Sequence, residues 1–217
     1  MKDIFSNLDD LEISVSSPNL ILLLIDSSGS MFGYKEKMAF ELKKFKDKMT
    51  AMDESSTVII SRWDFSEKIY ASDFDKIENF PTNYYADGGT RLYETIIWAK
   101  KALLGTRKYE GAIDILQNQG YYPEVAIIVF SDGEDEDSDN MYNLERAAAA
   151  VSKMNDNDIV TAFVCFGDSS RKVAKKLNFR NIDTKYDLEE AFDAISSSCI
   201  RQSMSAVSLT DNFFDNN

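Results

Sequence analysis

Four short segments of the chain are almost continuously apolar and are rich in isoleucine, leucine, valine or phenylalanine. They are Asn19–Ile25, Thr57–Ser61, Glu124–Phe130 and Ile159–Phe166. Continuous apolarity over this length, without alternation, is typical of a strand that helices cover on both faces. A further run, Lys68–Ala71, follows the second segment closely, and this spacing predicts a hairpin with one antiparallel edge strand.

Between these segments, apolar residues recur at intervals of three and four, which is typical of helices with one buried face. The predicted helices cover Met38–Met52, Leu92–Leu103, Met141–Val151 and Leu188–Cys199, with an additional helix at Arg107–Asn118. Strands that alternate with helices predict an α/β fold with a doubly wound, mostly parallel, Rossmann-like sheet. We expect one domain over residues 18–202, an N-terminal extension (1–17) and a flexible C-terminal tail (203–217).

Composition excludes several classes of function. The 217 residues include 37 acidic and 24 basic side chains, a net charge of −13, which disfavours binding to nucleic acid or to an anionic membrane. The chain has no histidine, which excludes Ser-His-Asp and Cys-His nucleophiles and histidine-ligated metals. Cys165 and Cys199 are predicted to be buried thiols in a reducing compartment. Without a membrane-length apolar run or a secretory N-terminus, the sequence predicts a cytoplasmic protein.

Oxygen-bearing side chains follow the predicted strands. Asp26, Ser28 and Ser30 come after the first strand, Thr90 precedes the second long helix, and Asp132 follows the third buried strand. Parallel strands end at one edge of a sheet, where α/β proteins bind their ligands. Carboxylates and hydroxyls favour Mg²⁺, Mn²⁺ or Ca²⁺ over zinc or copper. The sequence therefore predicts a site for a hard divalent cation.

The pattern Asp26-x-Ser28-x-Ser30, a distant Thr90 in Gly-Gly-Thr and a distant Asp132 in Ser-Asp-Gly resembles the von Willebrand factor type A family with its metal-ion-dependent adhesion site. The resemblance implies that Ser28, Ser30 and Thr90 bind the metal directly, and Asp26 and Asp132 partly through water. It also implies a metal-dependent protein-binding module that is not an enzyme. Intracellular, mostly microbial members resemble components of larger complexes, for example with AAA+ ATPases or tellurium-resistance systems.

The low charge of this site favours a particular partner. Two carboxylates leave a bound Mg²⁺ partly uncompensated, with a position open to an outside ligand. We therefore expect the protein partner to supply an aspartate or glutamate carboxylate, with lysine or arginine around it to match the acidic surface.

Two alternatives compete with this interpretation. Phosphatases of the haloacid dehalogenase type also place an aspartate after the first strand of a Mg²⁺-dependent doubly wound fold, and Asp26 would be their nucleophile. Those enzymes need a second carboxylate two residues later, and Ser28 occupies that position. Alternatively, Asp26, Ser28 and Ser30 could only cap backbone amides, which would leave Thr90 and Asp132 unexplained.

The acidic run Asp132–Asp139 holds six carboxylates. Read as an EF-hand loop from Asp135, it has Asn140 where glycine is needed and Arg146 where glutamate is needed. We expect a solvated loop that shapes the electrostatics of the adjacent metal site, with a secondary low-affinity cation site as the alternative.

Overall fold

Strands and helices alternate along the chain, as the apolar pattern predicts. The computed structural model describes residues 5, 7–51, 57–133, 135, 137–166, 168–184, 188–204 and 213–214, without the side chains of 199–204. The strands are β1 (Asn19–Asp26), β2 (Val58–Phe65), β3 (Ile69–Ala71), β4 (Asp75–Lys76), β5 (Glu124–Ser131), β6 (Val160–Cys165) and β7 (Asn181–Thr184). The helices are α1 (Lys35–Thr50), α2 (Leu92–Leu104), α3 (Ala112–Asn118), α4 (Leu144–Asn155), α5 (Asp168–Lys176) and α6 (Leu188–Met204).

All seven strands form one sheet in the order β3-β2-β1-β5-β6-β7, with β4 also paired to β2. β2, β1, β5, β6 and β7 are parallel, whereas β3 and the two-residue β4 run antiparallel to β2. The mostly parallel sheet and the antiparallel edge strand are confirmed. The chain passes from β1 to β2 on one side and later returns to β5 on the other. This reversal of strand order lies at the carboxyl end of β1, where such folds bind ligands.

β1 is the centre of the core, because it is buried on both faces. Leu20, Leu22 and Leu24 pack into the cluster that contains residues of α2 and α4. Ile21, Leu23 and Ile25 point the other way, into the cluster that contains residues of α1 and α6. A strand between two helical layers must be apolar at every position, which explains the continuous run in the sequence.

Several predicted boundaries differ from the observed ones. β2 continues four residues past Ser61. The charged side chains of Arg62 and Asp64 are accommodated in the strand because two 2.9 Å hydrogen bonds pair them with each other. The helix predicted at Arg107–Asn118 is wrong in its first part: α3 begins at Ala112, after the turn in which the Thr106 N–H donates to the Tyr109 carbonyl. α4 begins at Leu144, and Met141 is exposed rather than part of an apolar stripe.

Besides the two-residue β4 and the short 3-10 helices, two elements were not predicted. α5 buries only Ser170 and Ala174, so its sequence has no apolar stripe. β7 is four residues long at the sheet edge, and only Asn181 in it is buried. Cys165 is buried as predicted, and burial raises the pKa of its thiol to about 11. The side chain of Cys199 and residue Met52 lie outside the described part of the chain.

Residues outside the predicted domain also contribute to the core. Leu8, in the segment predicted as an extension, is fully buried in the cluster on the α2 side. In the segment predicted as a flexible tail, Phe213 is fully buried in the cluster on the α1 side. Its backbone N–H donates to Asn181 Oδ1 at 3.0 Å, and its carbonyl accepts from the Ser198 hydroxyl. Among the described helices, none is long and apolar enough to cross a membrane.

Candidate metal centre

The predicted metal ligands lie on three loops at the carboxyl edge of the sheet. The first loop (residues 26–30) follows β1, the second (84–90) precedes α2, and the third (131–139) follows β5. In the third loop, residues 134 and 136 lie outside the described part of the chain.

The first loop holds its own polar groups together. The Ser28 backbone N–H donates to Asp26 Oδ1 at 2.9 Å, and the hydroxyl oxygens of Ser28 and Ser30 are 3.0 Å apart. Asp26 and Ser28 are buried, whereas Ser30 is exposed. The loop thus presents two adjacent hydroxyls, backed by a carboxylate that is held in place.

Hydrogen bonds join the second loop to the first. The Asp87 N–H donates to the Ser27 carbonyl and the Gly29 N–H to the Gly88 carbonyl, both at 2.8 Å. These bonds bring the segment that leads to the buried Thr90 next to the first loop. Thr90 does not cap α2: the N-cap position is Arg91, with no side-chain hydrogen bond.

The third loop is tied to both others. The Ser131 hydroxyl donates to Asp26 Oδ2 at 2.6 Å, and Asp132 follows Ser131. The Asp137 N–H donates to the Thr90 carbonyl at 2.9 Å. The structure therefore brings together the three loops that carry Asp26, Ser28, Ser30, Thr90 and Asp132.

The donor set fits a small hard cation. Adjacent ligands of an octahedral Mg²⁺ at ~2.0–2.1 Å lie about 2.9 Å apart, and the Ser28 and Ser30 oxygens have that spacing. Within the described residues, no group of three or more His, Cys, Asp or Glu side chains could hold a metal ion. A cation here would depend on hydroxyls together with carboxylates, which favours Mg²⁺ or Mn²⁺ over a soft metal.

Asp26 sits in an environment that disfavours its own charge. Burial raises its pKa to about 6, and the nearby Asp132 charge adds to the rise, while hydrogen bonds from Ser131 and Ser28 oppose it. A bound cation would stabilise the charged form of this buried carboxylate.

A buried network positions the same loop from behind. The Tyr84 hydroxyl donates to the Asp26 carbonyl at 2.5 Å. The Arg62 guanidinium, itself 2% exposed, donates to the carbonyls of Pro81 and Asn83 at 2.8 and 2.7 Å and pairs with Asp64. Arg62 thus fixes the segment that carries Tyr84. No sequence motif indicates that Tyr84 belongs to the site. Ser131 could have been predicted as a site residue, because it is polar and lies beside Asp132 at the end of an apolar strand.

The acidic third loop also has a structural role that the sequence prediction missed. Asp135 is half-buried and accepts the backbone N–H of Tyr93, in the first turn of α2, at 2.9 Å. The Ser138 hydroxyl accepts the Glu94 N–H and donates to Asp135. The loop therefore caps α2 from outside the helix, and Asp135 is not simply a solvated charge.

We expect Asp135→Ala to lower the free energy of unfolding by about 1 kcal/mol, the typical cost of losing an N-cap side chain. Urea unfolding measures this loss. Asp139→Ala is the matched control, because Asp139 is an exposed carboxylate on the same loop. An equal loss in both variants would contradict the capping role.

Neither models of protein families nor curated protein sequences give a match to this chain. Solved structures do. A von Willebrand factor type A protein from Catenulispora acidiphila is 17% identical with a TM-score of 0.57, over 85% of this chain and 43% of that one. Proximal thread matrix protein 1 from the mussel byssus, solved with a zinc-occupied MIDAS motif, is 12% identical with a TM-score of 0.54, over 85% and 46%.

A third structure, the manganese-loaded TRAP protein of Plasmodium vivax, is 14% identical with a TM-score of 0.53, over 88% of this chain and 75% of that one. The chain spans less than half the length of the first two structures. Identities this low establish the fold and not the function. The strand order and these structural matches show that the chain has a von Willebrand factor type A fold.

Proposed function

We propose that this chain is a metal-dependent protein-binding module. Asp26, Ser28, Ser30, Thr90 and Asp132 would hold one Mg²⁺ or Mn²⁺ ion, and Ca²⁺ is a further candidate. The observation that carries the proposal is the pair of hydroxyl oxygens 3.0 Å apart, backed by a buried carboxylate. When bound, the ion supplies a positive charge that can accept an oxygen ligand from another molecule.

The chain's own residues would compensate only part of the charge on such an ion. Asp26 and Asp132 supply two formal negative charges, and the remaining candidate donors are neutral hydroxyls. A carboxylate from a partner protein would supply both charge and an oxygen, so an aspartate or glutamate is the expected ligand. The net charge of −13 disfavours a broadly acidic partner. The partner should therefore carry basic residues around its carboxylate.

The same geometry supports a binding role over catalysis. In the phosphatase alternative, a carboxylic acid two residues after Asp26 must protonate the leaving group. Ser28 occupies that position, and its hydroxyl contacts Ser30. Asp26 therefore lacks the carboxylic acid that those enzymes place two residues after their nucleophile. We further propose a cytoplasmic location within a larger complex, for which AAA+ ATPase and tellurium-resistance systems are examples.

Affinity capture from a lysate of the source organism tests the proposal. The wild-type protein should retain a partner in Mg²⁺ and release it in EDTA. Thr90→Ala should weaken retention about tenfold or more, because it removes one candidate ligand. Thr106→Ala, an exposed threonine in another loop, is the matched control and should bind normally. Undiminished binding in EDTA would contradict the proposed function.

A further inference from the structure

Two exposed aromatic side chains lie close in sequence to residues of the candidate metal centre. Phe32 is 65% exposed and lies two residues after Ser30, in the short 3-10 helix Gly29–Tyr34. Tyr85 is 69% exposed and lies between Tyr84, which is bonded to the Asp26 carbonyl, and Asp87, which is bonded to Ser27. Large exposed aromatic side chains are costly to hydrate and are enriched in binding surfaces.

Lys35 contacts both of these residues, Phe32 through the backbone and Tyr85 through its side chain. The Lys35 backbone N–H donates to the Phe32 carbonyl, and Lys35 Nζ lies 5.4 Å from the centroid of the Tyr85 ring. We name Phe32, Lys35 and Tyr85 the aromatic flank. It is carried by the first loop with its following helix and by the start of the second loop.

The third loop of the centre carries exposed acidic side chains. Asp137 and Asp139 are both exposed, and Asp137 donates its N–H to the Thr90 carbonyl. The Asp137 carboxylate lies so close to Gly89 that a Cβ on that glycine would be 1.5 Å from Oδ2. We name Asp137 and Asp139 the acidic flank. It lies beside the end of the second loop, whereas the aromatic flank includes its beginning.

These two flanks differ in the chemistry they can accept. An apolar side chain that packs on Phe32 or on Tyr85 removes exposed ring surface from water. A lysine or arginine can pair with Asp137 or Asp139, and such peripheral charge pairs act mainly on specificity and association rate. A ligand that places a carboxylate at the centre and contacts both flanks therefore needs an apolar group for one flank and a basic group for the other.

We infer that the centre binds a protein segment in which one acidic residue has a large apolar residue on one side and a lysine or arginine on the other. The inference rests on the proposed function and names the class of partner sequence that it would recognise. The composition of this segment is inferred from the exposed apolar surface of the aromatic flank and the negative charge of the acidic flank.

A library of short synthetic peptides tests it. Each peptide carries a central glutamate with randomised flanking residues, and selection uses the immobilised full chain in Mn²⁺ and in EDTA. We expect Mn²⁺-dependent enrichment of aromatic or aliphatic residues on one side and of lysine or arginine on the other. Replacing the central glutamate by glutamine in the selected peptides should abolish binding.

Variants of the chain assign each preference to its flank. Tyr85→Ser should weaken selected peptides about fivefold and remove the apolar preference while leaving the basic one. The double variant Asp137→Asn, Asp139→Asn should remove the preference for lysine or arginine and leave the apolar preference. It should weaken the binding of selected peptides about two- to fivefold. Tyr70→Ser is the matched control, because Tyr70 is an exposed tyrosine on β3. Calorimetric Mn²⁺ binding should be unchanged in Tyr85→Ser and Tyr70→Ser.

The outcomes separate this inference from the proposed function. Metal-dependent selection of the central carboxylate without any preference at its neighbours would overturn the inference and leave the proposed function standing. Preferences that survive the flank variants would also overturn it. Absence of any metal-dependent enrichment would overturn both.

Discussion

Asp26→Asn should stabilise the metal-free protein at neutral pH and abolish its response to metal. The Asp26 carboxylate is fully buried, and burial raises its pKa to about 6 from an ordinary value of 3.8. Folding at neutral pH must therefore hold a negative charge in a site that favours the neutral acid. A shift of this size corresponds to about 3 kcal/mol. Asparagine removes the charge, and its side-chain oxygen can still accept the Ser28 N–H. Its amide nitrogen cannot accept the Ser131 hydroxyl, so we expect the net gain to be smaller than the full ~3 kcal/mol.

The sign of the pH dependence follows from the same shift. A carboxyl group whose pKa is higher in the folded state binds more protons there than in the unfolded chain between about pH 4 and 6. Its contribution to the free energy of unfolding is therefore complete below about pH 4 and is lost as the pH rises through about 6. In EDTA, the stability of the wild type should fall over this range relative to that of Asp26→Asn.

Urea unfolding in EDTA across this pH range measures the difference between the two proteins. Mg²⁺ or Mn²⁺ should raise the melting temperature of the wild type only, because a ligand bound by the native state stabilises it by mass action. Asp87→Asn, which changes an exposed aspartate of the second loop, is the matched control for charge. Destabilisation by Asp26→Asn at neutral pH would contradict this description of the site.

Phe213→Ala should lower the free energy of unfolding by about 3–5 kcal/mol, the usual cost of truncating a fully buried phenylalanine. Phe213 is completely buried in the cluster that contains residues of α1 and α6, although it lies near the end of the chain. Asn181 of β7 and Ser198 of α6 bond its backbone. The side chain therefore completes the core at the last strand of the sheet.

Phe214→Ala is the matched control for this prediction. Phe214 packs against Phe213 with ring centroids 5.3 Å apart, but it is only partly buried. We expect it to lose clearly less stability than Phe213→Ala, because less apolar surface returns to water. Denaturant unfolding of both variants makes the comparison. Equal and small losses would show that the end of the chain does not contribute to the core.

The sheet could be predicted from the sequence because its main strands are buried on both faces. In β1, even-numbered residues such as Leu22 face one helical layer and odd-numbered ones such as Leu23 face the other. This requirement produces the apolar run that identifies the strand. α5 could not be predicted in the same way, since its buried positions are Ser170 and Ala174. Phe213 could not be placed in the core because its burial depends on contacts far along the chain.

The three loops of the candidate site could be predicted because each lies at the end or beginning of a recognisable element. What positions them could not, since those contacts join residues distant in sequence. Tyr84 reaches the Asp26 carbonyl across 58 residues, and Asp135 reaches the first turn of α2 across 42. The local sequence pattern does not indicate such pairs. The acidic run was therefore predicted to be a solvated loop, whereas Asp135 in it caps α2.

Isothermal titration calorimetry of Mg²⁺ and Mn²⁺ into the purified protein tests the central claim most directly. The wild type and Ser169→Ala, which changes an exposed serine of α5, should show the same single binding event. Ser30→Ala should bind about tenfold more weakly, and Asp26→Asn should show no binding. If neither cation gives a binding signal with the wild type, or if Asp26→Asn binds as tightly as the wild type, the assignment of the metal site is wrong. That site consists of Asp26, Ser28, Ser30, Thr90 and Asp132.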